Sequence, residues 1–297
     1  MSIQQMFLGA GGGGALAVDD IFNMKLYTGA YNANGVPGNG NQDIDNGMNL
    51  DVQNGSPGGL VVIRDRFYNL GGHWSVYDTD RGAKKYLIWN TDGKQVDSTN
   101  WGDYDLTAFN DDGFSLGDNN LWTNNLNHSH IAYTFMKSEK FFDICTWSGE
   151  NDSTDQTIDH NLGCEPGMIM VKCTTSDTTD WYVYHTSLGN QDYIRMNSDA
   201  ASNGDTGADQ WTPTSTSFKA ANYMNLNTNG QDYVAYLFAK DEDNIKCGSY
   251  VGTGDSVADG GSDNSVNVGF KPQFILIKRD SSSYSSDWFF FDTARGI

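Results

Sequence analysis

The chain consists of short apolar stretches separated by clusters of turn-forming residues. Between residues 130 and 137, Ile131, Tyr133 and Phe135 alternate with more polar neighbours, which is the period of a half-buried strand. Three other runs are apolar throughout and partly β-branched, as expected for strands buried on both faces: 60–63, 168–171 and 274–277. Turn clusters such as Asn-Asp-Asp-Gly at 110–113 separate such segments. The pattern predicts an all-β protein with many short strands.

The predicted strands recur in an internal repeat. Trp74, Trp181 and Trp288 are spaced 107 residues apart, and each is followed after three positions by an aromatic residue and after eight by a glycine. Upstream of each tryptophan lies one of the three apolar runs, which ends in a basic residue. A unit of about 105 residues is longer than the 20–50 residues of solenoid repeats. It has enough chain for its own core, so we predict tandem β-sandwich or jelly-roll repeats.

The repeat divides the chain into four predicted parts. These are an N-terminal arm, two complete β-sandwich repeats and the first half of a third, at 1–21, 22–138, 139–241 and 242–297. The third repeat stops before the strand that would match residues 86–90. Because half a sandwich would leave strand edges exposed, we expect the natural polypeptide to continue beyond residue 297.

Composition and charge narrow the function classes. Asp, Asn and Gly make up 97 of the 297 residues, and these residues favour turns over helices. A net charge of -20 disfavours nucleic acid as a partner, because phosphate binding requires a basic surface. No apolar run approaches the ~18 residues of a membrane helix, so we expect no membrane insertion. The four cysteines lack metal-ligand spacing, which predicts free thiols and synthesis in a reducing cytoplasm.

Motifs for catalysis and cofactor binding are absent from the sequence. There is no Gly-x-Ser-x-Gly or His-Glu-x-x-His motif, and the repeat places Asp78, His185 and Asp292 at one position, which a catalytic acid would not tolerate. We therefore predict no enzyme, and hydrogen bonding within a turn or at a strand edge for these side chains. The only cofactor considered is calcium, which two groups of aspartates could bind: Asp43, Asp45 and Asp51, and Asp111, Asp112 and Asp118. Because the terminal Glu of an EF-hand loop is missing and Asp is the common turn residue here, no metal site is predicted.

Three tryptophans lie among polar, turn-rich residues and are candidates for ligand binding. Trp101, Trp122 and Trp211 have Asn, Gly, Thr or Gln as neighbours, which would permit partial exposure. Exposed aromatic rings beside polar groups can stack on sugars, so these three residues are a candidate glycan site. Alternatively, they close the ends of the sandwiches or form subunit contacts.

The opening sequence Met-Ser-Ile-Gln-Gln-Met-Phe-Leu-Gly-Ala-Gly resembles the start of tail-fibre and related tail proteins of short-tailed marine bacteriophages, especially cyanophages. The repeat units also resemble a repeat of those proteins. The shared marks are Tyr-Thr-Gly at 27–29, Trp-x-x-Tyr-Asp-Thr-x-Arg-Gly at 74–82, His-Asn-Leu-Gly at 160–163 and Tyr-Val-Ala-Tyr at 233–236. The resemblance implies concanavalin-like sandwiches in a virion appendage, usually trimeric. It also implies that the N-terminus docks to tail adaptor or nozzle proteins, for which the apolar residues are Ile3, Met6, Phe7 and Leu8.

The expected function is that of a structural virion protein, made in the host cytoplasm and located in the phage tail. It would be the N-terminal part of a tail fibre, with the host receptor bound by these or more distal domains. One alternative is a lectin-type adhesin whose sandwiches bind host glycan directly. A second is a depolymerising tail spike, which needs a pair of carboxylates at glycosidase separation.

Overall fold

The computed structural model describes residues 2–10, 17–31, 40–67, 72–118, 122–151, 153–204, 208–253, 264–280 and 286–296. The prediction of an all-β protein is confirmed. The helical elements of the described part are one short α-helix and two 3-10 turns: α1 (Val18–Ile21), Val52–Asn54 and Asn222–Met224. None of its helices is long and apolar enough to cross a membrane.

Most strands belong to three antiparallel sheets. In spatial order, the first sheet contains β2 (Phe22–Thr28), β10 (Ser129–Met136), β4 (Gly59–Asp65), β5 (Trp74–Asp78), β6 (Lys85–Ile88) and β7 (Val96–Asp97). The second contains β11 (Phe142–Ser148), β17 (Asp232–Ala239), β13 (Pro166–Cys173), β14 (Tyr182–His185) and β15 (Ile194–Arg195). The third contains β18 (Asp241–Glu242), β19 (Ile245–Val251), β1 (Ser2–Ala10), β20 (Lys271–Asp280) and β21 (Trp288–Asp292).

The three sheets share one strand order, with the N-terminal strand in an unexpected place. The strands β10, β17 and β1 each lie between two long strands of their sheet and pair with both. In the first two sheets that central strand comes from the same repeat, whereas in the third sheet it comes from the opposite end of the chain. The registers correspond, because Tyr133 pairs with Val62, Tyr236 with Met170, and Met6 with Leu276. Five of these six positions match one another in the predicted repeat, whereas Met6 comes from the predicted N-terminal arm. The predicted repeat boundaries themselves stay predictions.

Two small sheets complete the architecture. The first is β3 (Gln42–Asp45), β9 (Gly113–Leu116) and β8 (Leu106–Phe109), and the second is β12 (Gln156–Asp159) and β16 (Ser217–Ala220). The loop after β3 reaches β10, where Asn46 Nδ2 donates to Thr134 Oγ1 at 2.8 Å. The sequence prediction that the 130–137 strand is half-buried was wrong, because His130 and Thr134 are also buried. A second layer covers the polar face of the strand and satisfies its hydroxyl.

The three sheets meet in a common aromatic core. The ring of Phe135 in the first sheet lies 5.5 Å from Phe238 in the second and 6.0 Å from Phe274 in the third. Phe274 also packs against Phe22 at 5.7 Å. Edge-to-face pairs at these distances add about 0.5–1.5 kcal/mol to the burial itself. The sheets are therefore packed on one another and do not form separate units that are joined only by the chain.

The glycine that ends each copy of the tryptophan motif has a conformational role. Gly82, Gly189 and Gly296 have φ angles of 91°, 83° and 85°. Residues with a Cβ atom are strained in this left-handed region, while glycine is not. The recurrence of glycine at this position is thus explained by the turn after β5, β14 and β21.

Candidate functional site

The three tryptophans of the candidate glycan site lie in different environments. Trp101 is 53% exposed, and its ring contacts Tyr104 edge-on at 5.9 Å. Trp122 is half-buried and its ring lies 4.3 Å from that of His73. Trp211 is fully buried. The expectation that Trp211 stacks on a sugar is therefore corrected, because neither face of its ring reaches solvent.

Trp101 lies beside a shallow groove between the first and second sheets. The groove has a volume of about 420 Å³ and is also lined by Tyr86, Gln95, Asp97 and Asp177. Across this junction Lys94 Nζ donates to Asp177 Oδ2 at 2.8 Å. One exposed indole beside a half-buried tyrosine and several polar groups has the composition of a sugar-binding surface.

The predicted docking residues belong to the third sheet. Met6 and Leu8 are 2% and 0% exposed, and they pair with Leu276 and Phe274 of β20. The side chains of Ile3 and Phe7 lie outside the described residues, as does the glycine tract 11–14 of the predicted arm. The structure thus places the described apolar docking candidates in a core position, not on a free surface.

In the first candidate calcium group, two aspartates cap turns and the third contacts a neighbouring strand. Asp43 Oδ1 accepts from Ser115 Oγ at 2.6 Å, and the carboxylates of Asp45 and Asp51 accept backbone N–H groups two residues ahead of them. Within the described ranges, no group of three or more His, Cys, Asp or Glu side chains is arranged to hold a metal ion.

A buried triad connects the first sheet to the second. Asp78 is fully buried and accepts hydrogen bonds from Arg81 Nε at 2.5 Å and from the Tyr236 hydroxyl at 2.7 Å. Arg81 also donates to the carbonyl of Val76 at 3.1 Å and to Gln95 Oε1 at 3.1 Å. Burial is the main reason that the pKa of Tyr236 is raised well above its usual value. The triad therefore holds a charged pair and a neutral phenol.

The same triad recurs between the first and third sheets. The Tyr133 hydroxyl donates to Asp292 Oδ2 at 2.8 Å, and Arg295 Nε donates to the same carboxylate. At the matching positions of the second repeat, His185 and Leu188 replace the aspartate and arginine. The matching position to Tyr133 in the third sheet is Met6. At the junction between the second and third sheets, all three residues of the triad are therefore different.

The local hydrogen bonds predicted for Asp78 and Asp292 are present. The backbone N–H of Arg81 donates to Asp78 Oδ1, and that of Arg295 donates to Asp292 Oδ1, both at 2.8 Å. The role of the tyrosines was missed. Comparison of the repeats could not show this role, because the second repeat replaces the aspartate and arginine but keeps Tyr236, and the residue in the tyrosine place of that junction is Met6.

The repeated tryptophans also connect neighbouring sheets. The indole Nε1 of Trp181 donates to the carbonyl of Ile88, and that of Trp288 donates to the carbonyl of Arg195, both at 2.9 Å. Trp74 is instead stacked on Phe290, with ring centroids 4.0 Å apart. The sequence interpretation of these tryptophans as packing residues holds for Trp181, which is fully buried.

Buried lysines also connect each sheet to the preceding one. Lys172 Nζ donates to the carbonyl of Asp92 at 3.2 Å, and Lys278 Nζ donates to that of Ser198 at 2.9 Å. Burial lowers the pKa of Lys172 to about 8. His130, in the core of the first sheet, has its pKa lowered to about 4, mainly by burial. The two lysines thus donate hydrogen bonds to groups within the protein.

Another cleft lies where all three sheets meet. Its volume is about 530 Å³, and it is lined by aromatic, amide and charged side chains. Members from the first repeat are Arg64, Trp74, Trp89 and Asn90; those from the others are Met196, Asn197, Ser198, Asp287, Trp288, Phe289, Phe290 and Arg295. The indole N–H of Trp89 is buried without a hydrogen-bond partner. This cleft was not predicted, because its walls come from three distant parts of the chain.

Together, the fold and these contacts define an all-β protein of interlocked antiparallel sheets with buried polar connections. The chain belongs to the family described as Domain of unknown function (DUF7483), whose model matches residues 136–297. No curated protein and no solved structure matches the chain.

Proposed function

We propose that this protein is a structural module of a bacteriophage tail appendage. The observation that supports the proposal is the interlocking of the three sheets, which gives a rigid body able to transmit load. The strand β1 is hydrogen-bonded on both sides, and its register includes seven residue pairs with β19 and nine with β20. Buried ionic triads then join the first sheet to the other two.

The remaining features of the proposal come from the sequence resemblance. The module lies in the virion, docks to tail adaptor or nozzle proteins as a homotrimer, and supports recognition of a host receptor. Its free thiols, three of them buried, suit synthesis in a reducing cytoplasm. All four cysteines are free, and burial raises the pKa of Cys164 to about 11 and that of Cys247 still further.

The proposal is tested on purified particles of the phage that encodes the chain. Antibodies raised against the recombinant chain are expected to label the tail appendages in immunogold electron micrographs, with pre-immune serum as the control. Mass spectrometry of the same particles should detect peptides from the whole sequence. Particles that infect normally but contain none of these peptides would show that the protein is not part of the virion.

A lectin-type adhesin is the second candidate, and the groove beside Trp101 is the observation that favours it. If this groove binds host glycan, Trp101→Ala should weaken binding of the host polysaccharide at least tenfold, because stacking on an indole is a main source of affinity. Phe67→Ala is a matched control, since Phe67 is exposed to 66% but does not line the groove. Equal binding by both variants, or no binding by the wild type, would exclude the groove.

A depolymerising spike remains the least supported alternative. It is tested by incubating the full chain with host polysaccharide and measuring new reducing ends. We expect none above the level of a heat-denatured control, and a steady release of reducing sugar would overturn this expectation.

A further inference from the structure

Six asparagines of the chain are followed directly by glycine: Asn34, Asn39, Asn46, Asn54, Asn203 and Asn229. In an Asn-Gly pair, the backbone nitrogen of the glycine can attack the asparagine side chain, because the glycine has no Cβ atom to hinder the approach. All six pairs share this glycine, so differences between them in the folded protein come from the structure around each pair. The described part of the chain contains the pairs of residues 46, 54, 203 and 229.

Asn46 is protected by its contacts. It is 8% exposed, its Nδ2 donates to Thr134 Oγ1 at 2.8 Å, and its Oδ1 accepts from the backbone N–H of Met48 at 3.0 Å. The N–H of Gly47 donates to the carbonyl of Asp112 at 3.0 Å. Attack by the Gly47 nitrogen on the Asn46 side chain would therefore break three hydrogen bonds, two of them made by a buried amide.

Asn54 lacks this protection. It is exposed at the end of the 3-10 turn Val52–Asn54, and its side chain makes no hydrogen bond with the described residues. The N–H of Gly55 makes none with them either. Gly55 is also exposed, and a Cβ atom built on it would meet nothing within 4 Å. Both reacting groups are thus open to water and to each other.

The turn around Asn54 is held by hydrogen bonds at the surface. The backbone N–H groups of Asn54 and Ser56 donate to the carbonyl of Asp51 at 3.0 and 3.2 Å, and the turn contains no buried residue. Bringing the Gly55 nitrogen to Asn54 Cγ requires rotation about the Cα–C bond of Asn54. This rotation opens one short turn, which is among the least costly local openings of a fold.

The other two described pairs are engaged in contacts. Asn203 Nδ2 donates to the Tyr193 hydroxyl at 3.2 Å, and its backbone N–H and C=O both pair with the backbone of Tyr193. Asn229 has an interaction partner as well. Among the described Asn-Gly pairs, that of Asn54 is therefore the one in which the side-chain amide and the glycine N–H are both unpaired.

We propose that Asn54 is a site of spontaneous deamidation. The Gly55 nitrogen loses its proton to base and bonds to Asn54 Cγ, the Cγ–Nδ2 bond breaks, and Nδ2 leaves as ammonia. Water then opens the resulting succinimide at either of its carbonyl groups, which gives aspartate or isoaspartate. Water is the only co-reactant, and no group is oxidised or reduced.

Deamidation changes the surface turn and leaves the core in place. The product adds a negative charge three residues after Asp51, and isoaspartate also adds a methylene group to the backbone. Because the turn contains no buried residue, we expect the fold to persist, so that modified and unmodified chains coexist in an aged sample. This inference does not depend on the proposed role in a virion.

Peptide mapping of the folded full chain measures the reaction. The wild type is incubated in a mildly alkaline buffer, and samples taken over time are digested with chymotrypsin and analysed by tandem mass spectrometry. Cleavage after Leu50 and Leu60 places Asn46 and Asn54 in separate peptides. We expect Asn54 to lose its amide at least about tenfold faster than Asn46, since Asn46 must first give up three hydrogen bonds. The Asn54 product should elute as two peptides of equal mass, one with aspartate and one with isoaspartate.

Controls separate the effect of the fold from that of the sequence. In concentrated urea the preference for Asn54 should disappear, because the contacts of Asn46 are then lost. Asn54→Gln should abolish the product at this position, because the longer side chain closes the ring far less readily. Thr134→Val removes the acceptor of Asn46 Nδ2 and should raise the Asn46 rate about fivefold, the effect of one hydrogen bond, with the Asn54 rate unchanged. An unchanged Asn46 rate in this variant, shown to be folded by circular dichroism, would count against protection by the contact.

Three results would overturn the proposal. One is an Asn54 rate in the folded chain that is no higher than the Asn46 rate. Another is the same preference in urea, which would assign it to the neighbouring sequence and not to the fold. The third is aspartate as the sole product at residue 54, because direct hydrolysis of the side chain does not pass through the Gly55 nitrogen.

Discussion

Removing the guanidinium of Arg81 should be among the most damaging single changes in the protein. Asp78 is fully buried, and the Arg81 side chain is only 6% exposed. The Arg81→Ala variant would leave the Asp78 carboxylate with the Tyr236 hydroxyl and one backbone N–H, but without its counter-charge. It would also remove the donors to Val76 and Gln95.

The expected cost follows from the burial of the pair. Breaking a buried ion pair by removing one partner costs about 3–5 kcal/mol, because the remaining charge stays out of water. The matching Arg295→Ala change should cost less, about 1–2 kcal/mol, since the Arg295 side chain is 29% exposed and water can partly replace it. Lys137→Ala is a further control. Its ion pair with Asp80 is about a quarter exposed on both sides and should be worth less than about 1 kcal/mol.

Urea denaturation of the full chain, followed by tryptophan fluorescence and far-ultraviolet circular dichroism, measures these costs. The expected order of destabilisation is Arg81→Ala, then Arg295→Ala, then Lys137→Ala. The two probes must give one transition for the free energies to be compared. An Arg81→Ala cost below about 1 kcal/mol, or one equal to that of Arg295→Ala, would refute the argument that burial sets the strength of the triad.

Three further changes test other parts of the structure. A Cβ atom at residue 149 would lie 2.1 Å from the carbonyl oxygen of Thr228, so Gly149→Ala should destabilise the fold by at least about 2 kcal/mol in thermal unfolding. The control is Gly248→Ala, whose Cβ atom would have no neighbour within 4 Å and which should cost under about 0.5 kcal/mol. Burial raises the pKa of Asp105 to about 6, so protonation stabilises the fold as the pH falls from about 7 to 4, and this gain is lost as the pH rises through 6. Asp105→Asn should therefore raise stability at pH 7.5 by about 1–3 kcal/mol and flatten that part of the urea-midpoint profile, and an unchanged profile would contradict the assignment. Leu8→Ala should cost about 2–5 kcal/mol by the loss of buried volume, measured by urea unfolding, while a free docking arm would show no change.

The sequence predicted the strands well where the information is local. The apolar runs at 60–63, 168–171 and 274–277 are strands, because their residue types and flanking turns act within a few positions. Exposure was predicted less well. The polar neighbours of Trp211 suggested a surface residue, but a sandwich buries residues by contacts that are distant in sequence. His130 is the same case, since the layer that covers it is formed by other segments.

The position of β1 could not be read from local pattern. Its central place in the third sheet requires pairing with residues around 245–251 and 271–280, more than two hundred positions away. Its sequence also differs from those of β10 and β17, its counterparts in the other two sheets, since Met6 lies where they have Tyr133 and Tyr236. Only the strand order of the assembled sheets shows that the N-terminal segment and the last repeat belong to one structural unit.

The pairing of β1 within the third sheet restricts how the N-terminus can attach to another protein. If Met6 and Leu8 bound a tail protein, the third sheet would lose its central strand and expose the edges of β19 and β20. Docking through these side chains and a folded third sheet are therefore mutually exclusive. In α1, Val18 and Ile21 are buried as well, so the charged surface left in the described part of residues 1–21 is that of Asp19 and Asp20. Within the described part, this acidic turn is the surface available for attachment with the sheet intact, and it would suit a basic partner surface.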